Sequence, residues 1–327
     1  MIMTFGTSMV LMLSALTVVL GVGLLDTTYR IFRRWKGSDL EERYELEKDF
    51  CLIFAAACIA LALRLFIVPL YFWTMQTLVP MIPAAMCLWG VFNALPELSW
   101  PALGLKFFLP ILYAGWLILA FVNAKCKRNQ LIGNLAGFFI FITPFLLADS
   151  ILDLAIFVKL TPVQVSCCSS AIDVGPRPIP PQIGTMSGQS ILFLLFMLSS
   201  ALFIATAFIS AKKQKFEWIA RSLAIFLVPL TLLTMTEVLT PWILHLPFHY
   251  CPFCLLSHSP PSILFVFLYW IAVSASWWTL ATRKLGRIDQ ESGVIENGVR
   301  TKLWNLAGSS GLIGLLIVIV NIAISFA

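Results

Sequence analysis

The chain has 327 residues, of which 60% are hydrophobic and only 12% charged, with a formal charge of +6. A soluble domain keeps about a quarter of its residues charged, so the composition excludes an ordinary soluble enzyme, a nucleic-acid binder and a disordered chain. Long apolar runs without the ~10-residue alternation of barrel strands point to an all-α, polytopic membrane bundle, with the lipid bilayer as its main partner.

In chain order, the first 25 residues form an apolar stretch with no positive flank and no clear small-residue cleavage site. They read as a retained helix rather than a cleaved leader. Residues 26–50 carry six bases and seven acids, as expected of a solvated, partly helical loop. Further apolar segments lie at about 51–73, 78–95, 103–123, 131–157, 190–210, 222–244, 262–282 and 303–326. Most can cross about 30 Å of hydrocarbon at 1.5 Å per residue.

Of 22 Lys and Arg, 18 fall in 26–50, 124–130, 211–221 and 283–302, and a bias of this kind places those stretches in the cytoplasm. Two loops on one side need an even number of crossings between them, yet three apolar segments separate 26–50 from 124–130. The weakest, 78–95, contains Pro80 and Pro83 and runs into PELSWP at 96–101, which reads as a helix breaker. A re-entrant or half-crossing segment is therefore expected there, shielded by its neighbours. Eight spans remain, with loops 158–189 and 245–261 outside a plasma membrane, in a bacterium the inner membrane.

This sidedness groups the cysteines. Cys167 and Cys168, in VSCCSSAID, and Cys251 and Cys254, in HLPFHYCPFC, fall on the external face, where disulfides persist. The CPFC spacing lets two sulfurs meet across one turn, as a disulfide or as ligands of one soft metal. Leu255 after Cys254 excludes c-type haem attachment. The three histidines, His245, His249 and His258, lie within the same fourteen residues. Adjacent cysteines would close a strained ring, so Cys167 and Cys168 are expected to engage other sulfurs or a metal. The DVGPRPIPPQIG stretch behind them reads as an extended cover. Cys51, Cys58 and Cys87 sit in apolar segments and read as small buried thiols; Cys126 lies on the reducing side.

On these motifs, residues from about 131 to 282 resemble the four-helix core of vitamin K epoxide reductases and related quinone-linked disulfide-forming membrane enzymes. In that family a loop cysteine pair after the first helix relays electrons to a CxxC near the start of the fourth. The resemblance implies that Cys167 and Cys168 exchange with Cys251 and Cys254, that Cys251 is the more acidic thiol, and that electrons pass between an external thiol protein and a quinone. Trp242, Tyr250 and Phe253 would wall the quinone, together with Phe248. Residues 1–130 then form a separate group of helices without an assigned function, and 283–327 a cytoplasmic loop and last span. Ser259-Pro260-Pro261 reads as the start of a fresh helix, with Ser259 as cap and Pro261 in its first turn, leaving CPFC on a short surface turn.

Two other readings use the same residues. Cys167, Cys168, His245, His249, Cys251, Cys254 and His258 offer thiolate and imidazole ligands for Cu, Zn or Hg, in a binding or transport protein. Alternatively the cysteines are staples in a non-catalytic subunit of a membrane complex. There is no GxxxxGK[ST] loop, so no nucleotide partner is expected. Asp149, Asp153 and Glu237 are costly inside spans and suggest a proton or cation route, or pairing with Arg64, which lies deep in the second span.

Overall fold

The structure, a computed structural model, describes residues 2–35, 40–125, 131–165, 185–285 and 290–326. Its elements are α1 (Phe5–Trp35), α2 (Leu40–Leu78), α3 (Leu88–Asn93), α4 (Pro96–Lys125), α5 (Ile132–Lys159) and α6 (Met186–Lys212), followed by α7 (Glu217–Thr234), α8 (Thr240–Leu244), α9 (Pro252–His258), α10 (Pro260–Leu285) and α11 (Gln290–Ser325). Among the described residues there is no strand. Among the described residues, eight helical spans are long and apolar enough to cross a membrane: α1, α2, α4, α5, α6, the run α7–α8, α10 and α11. The fold is thus an all-α polytopic bundle.

The segment 78–95 does not form a crossing helix. Val79–Met81 make one 3-10 turn, Ala84 adopts a left-handed φ of 65°, and α3 has only six residues, about 9 Å at 1.5 Å per residue. PELSWP, expected to break a helix, instead opens α4, which carries Pro101 and Pro110 inside it. Pro96 costs nothing there because the first N–H groups of a helix have no intrahelical acceptor. The turn is anchored by Ser99 N–H donating to Leu95 O at 2.9 Å.

The chain divides into two compact units, 1–83 with 91–165 and 281–296, and 84–90 with 166–280 and 297–327. In the first, α5 packs against α1 and α4, and α2 against α1 and α4. Sequence grouped α5 with the three spans that follow it; its packing partners are the N-terminal helices. Glycine makes the α1–α5 approach close: an added Cβ on Gly137 would stand 2.7 Å from the Phe32 ring, and one on Gly133 2.6 Å from the Trp35 ring. Small residues serve the same purpose between many membrane helices, where van der Waals packing replaces the hydrophobic effect as the driving force. Thr17 and Ser150 hydroxyls add a hydrogen bond of 3.0 Å across that seam.

The interior of this unit holds four charges. The Lys106 ammonium donates to Asp149 Oδ1 at 2.7 Å and to both Asp153 oxygens at 2.7 and 3.0 Å. Arg64 Nη2 pairs with Asp149 and, at 3.1 Å, with Asp153 Oδ2. Ser14 Oγ accepts from Arg64 Nη1 and donates to Asp153 Oδ2, each at 3.3 Å. Lys106 Nζ also lies 4.6 Å from the centre of the Tyr71 ring, a cation–π contact. All four charged side chains are buried, and two bases facing two acids cancel. Of the intramembrane acids singled out by sequence, Asp149 and Asp153 are thus joined through their i,i+4 spacing on α5, with Arg64 as an expected partner and Lys106 as a second. Glu237 belongs to the other unit.

In the second unit, α6 packs on α7, and two glycines of α11 face aromatic rings: an added Cβ on Gly308 would stand 2.9 Å from Phe208, and one on Gly314 2.8 Å from Tyr269. The α7–α8 run widens at Met235–Leu239 into a π-helical turn. Pro241 explains it: proline has no N–H and its ring would collide with the carbonyl four residues back. The wider turn relieves that, and Thr240 N–H and Oγ1 both donate to Met235 O.

The charge bias predicts a sidedness that labelling can read. Single cysteines introduced in 245–261 should react with an impermeant maleimide from outside intact cells, and those in 283–302 only after permeabilisation. Labelling of both from the same side would contradict the topology.

Candidate functional site

The site grows from two breaks in the helices. Cys87 sits in the open stretch just ahead of α3, where Gly90 N–H donates to Cys87 O at 3.0 Å. The second break follows α8, which ends at His245 with a left-handed φ of 54°. The chain then turns through Pro247 and restarts at Cys251, the N-cap of α9, with Pro252 in the first helical position. Cys254 N–H and Leu255 N–H both donate to Cys251 O, at 3.2 and 3.3 Å. This closes the CPFC turn and sets its two side chains on one side. Ser259 ends α9, and Pro260 and Pro261 open α10, so the proline pair restarts the chain as its sequence implies.

These breaks bring three sulfurs together. Cys87 Sγ and Cys251 Sγ are 4.0 Å apart, and the sulfurs of Cys87, Cys251 and Cys254 all lie within 4.8 Å of one another. The side chains are buried: Cys251 is 0% exposed, Cys87 1% and Cys254 8%. CPFC is therefore an interior turn, not the surface turn expected from sequence. Trp89, Leu244 and Phe253 pack around the cluster, the Trp89 and Phe253 rings with centroids 6.1 Å apart. The π-helical turn and α8 both touch α9, so the irregularity caused by Pro241 lies next to the element that carries Cys254.

Of the aromatic residues assigned to a quinone wall, Phe253 lines the cluster, whereas Tyr250 donates its hydroxyl to Pro247 O at 3.2 Å. Trp242 hydrogen-bonds Gln189 Oε1 at 2.9 Å and packs against Phe193 and Phe326. Trp89, which no motif in the sequence marks, packs against the cluster beside Phe253. The histidines are not members of the three-sulfur group. His245 and His258 are exposed, and the His245 ring lies against Phe326. Cys167 and Cys168 lie outside the described residues, as does Cys126.

Cys87 is the member that sequence reading assigned to packing. It is 164 residues from Cys251, and no spacing rule connects them. One signal was available: the parity of the basic loops puts 78–95 on the same face as CPFC, which makes a cysteine there a neighbour in compartment if not in sequence. Chemically, three sulfurs at this separation can exchange a disulfide among themselves, pass electrons to an acceptor, or share one ion.

Neither a protein family model, nor a curated protein, nor a solved structure matches the chain.

Proposed function

We propose that the chain is a membrane thiol–disulfide oxidoreductase whose working couple is Cys251–Cys254, with Cys87 as a third thiol in reach. The observation that carries this reading is the meeting of three buried sulfurs at the CxxC turn, 4.0 Å separating Cys87 from Cys251. Cys254 is the most exposed of the three. A thiolate of an external dithiol protein therefore attacks Cys254 Sγ of the Cys251–Cys254 disulfide, and Cys251 leaves as thiolate. The partner's second thiolate attacks its own sulfur in the mixed disulfide and releases Cys254. The partner has lost two electrons and two protons; Cys251 and Cys254 have gained them.

The apolar walls supplied by Trp89, Leu244 and Phe253 would suit a quinone ring. A quinone bound there would supply the acceptor: as Cys251 and Cys254 re-form their disulfide they would give up two electrons and two protons, and quinol would result. Attack of Cys87 on Cys251 would move the bridge to Cys87–Cys251 and free Cys254 without net redox change. By the family resemblance, Cys167 and Cys168 would stand between that partner and the CPFC pair, being reduced by the partner and then making the same attack on Cys254 in its place.

The test is a stoichiometric oxidation. Fully reduced protein in detergent, mixed anaerobically with a short-chain quinone, should lose two thiols and form one quinol per chain, both thiols mapping to the three-sulfur group. Retention of every thiol in that group, with no quinol formed, would overturn the reading.

A further inference from the structure

We infer that, in its reduced state, the cluster of Cys87, Cys251 and Cys254 is a binding site for one thiophilic d10 ion, Cu(I) or Zn(II). This differs from the ligand set suggested by the sequence, which drew on the adjacent cysteines and the histidines. It does not depend on a quinone or on turnover, only on the three sulfurs being thiols.

Geometry is the first support. Thiolates each about 2.3 Å from a single ion stand about 3.8–4.0 Å apart. The Cys87 and Cys251 sulfurs are already 4.0 Å apart and all three lie within 4.8 Å. Closing the widest of these separations by up to about 0.8–1.0 Å, through rotation of the cysteine side chains, completes the set.

The second support is how the ligands are presented. Two come from one turn, fixed by the hydrogen bonds of Cys254 and Leu255 N–H to Cys251 O, and the third from a separate stretch held ahead of α3. Two ligands close in sequence and one remote is an arrangement that closes around an ion as the protein folds. A chance pair of buried cysteines would not bring a third from 164 residues away. The third support is ligand softness: three sulfurs and no carboxylate in the group select Cu(I) or Zn(II) over Mg(II), Ca(II) or Mn(II). The two candidates differ in coordination. Cu(I) is content with three sulfurs, whereas Zn(II) takes a fourth ligand, commonly water in an open site.

The experiment uses full-length reduced protein without quinone, titrated separately with Cu(I) and Zn(II) under anaerobic conditions against a competing chelator. X-ray absorption reads the bound ion, and thiol alkylation with and without metal is followed peptide by peptide. One ion per chain is expected with three sulfur neighbours at about 2.3 Å. Alkylation of Cys87, Cys251 and Cys254 should slow together by at least about tenfold while Cys51 and Cys58 keep their rates. A variant with the other five cysteines changed to Ser should retain the ion, and Cys87→Ser should lower the affinity. With Cu(I) three sulfurs alone are expected; with Zn(II), three sulfurs plus one light atom. The inference is overturned if neither ion binds the wild-type protein, or if bound metal protects other cysteines and leaves Cys87 reactive.

Discussion

Replacing Asp153 with Ala should lower the stability of the protein by about 3–5 kcal/mol, the usual cost of removing one partner from a buried ion network. Lys106 and Arg64 would be left sharing Asp149 in an interior where both bases are buried. Water cannot reach to compensate. The expected result is a large fall in folded yield and a lower unfolding temperature in a mild detergent. A second substitution should reverse most of the loss: Lys106→Met added to Asp153→Ala leaves the Arg64–Asp149 pair intact and returns the net charge to zero. If Asp153→Ala costs less than about 1 kcal/mol, or if the double variant is no better than the single, the four charges do not form one coupled network.

The second large effect concerns the sulfurs. Cys251→Ser and Cys254→Ser should each reduce dithiol-dependent quinone reduction to the uncatalysed background, because a two-electron couple needs both members. Their trapped states should differ. With Cys254→Ser, the nearest remaining sulfurs are Cys87 and Cys251, 4.0 Å apart, and an oxidant should link them. With Cys251→Ser, the more exposed Cys254 should instead hold the external partner as a stable mixed disulfide. Cys87→Ser should still form the Cys251–Cys254 bridge. Non-reducing peptide mapping of the three variants reads all of this, and a Cys254→Ser protein that never forms the Cys87–Cys251 bridge would remove Cys87 from the relay.

Much of the fold was legible because its cause is coarse. A run of about twenty apolar residues is long enough to cross the bilayer and has few alternatives, and the parity of basic loops reduced nine apolar segments to eight crossings. PELSWP was misread because Pro96 falls at the start of α4, where no intrahelical N–H is required, while Pro101 is carried inside the helix. The charge network was half legible. The i,i+4 spacing of Asp149 and Asp153 and the depth of Arg64 were visible, while Lys106, alone in an apolar run, calls for an acid by the same reasoning. The CPFC turn was found from its spacing. Cys87 and Trp89 were not, because they reach the site through tertiary packing of a short irregular stretch, and nothing local in PAAMCLWG distinguishes a site residue from filler.

A thiol–disulfide oxidoreductase working through CPFC requires Cys251 and Cys254 to form a reversible two-electron couple in the folded protein. A redox titration tests it most directly. Protein equilibrated across a series of thiol–disulfide buffers is acid-quenched, its thiols are tagged, and each cysteine-containing peptide is quantified. Cys251 and Cys254 should lose their tags together along one curve with n = 2, a tenfold change in ratio for about 30 mV. If both remain fully reduced at every potential, or titrate independently of each other, the oxidoreductase reading is contradicted.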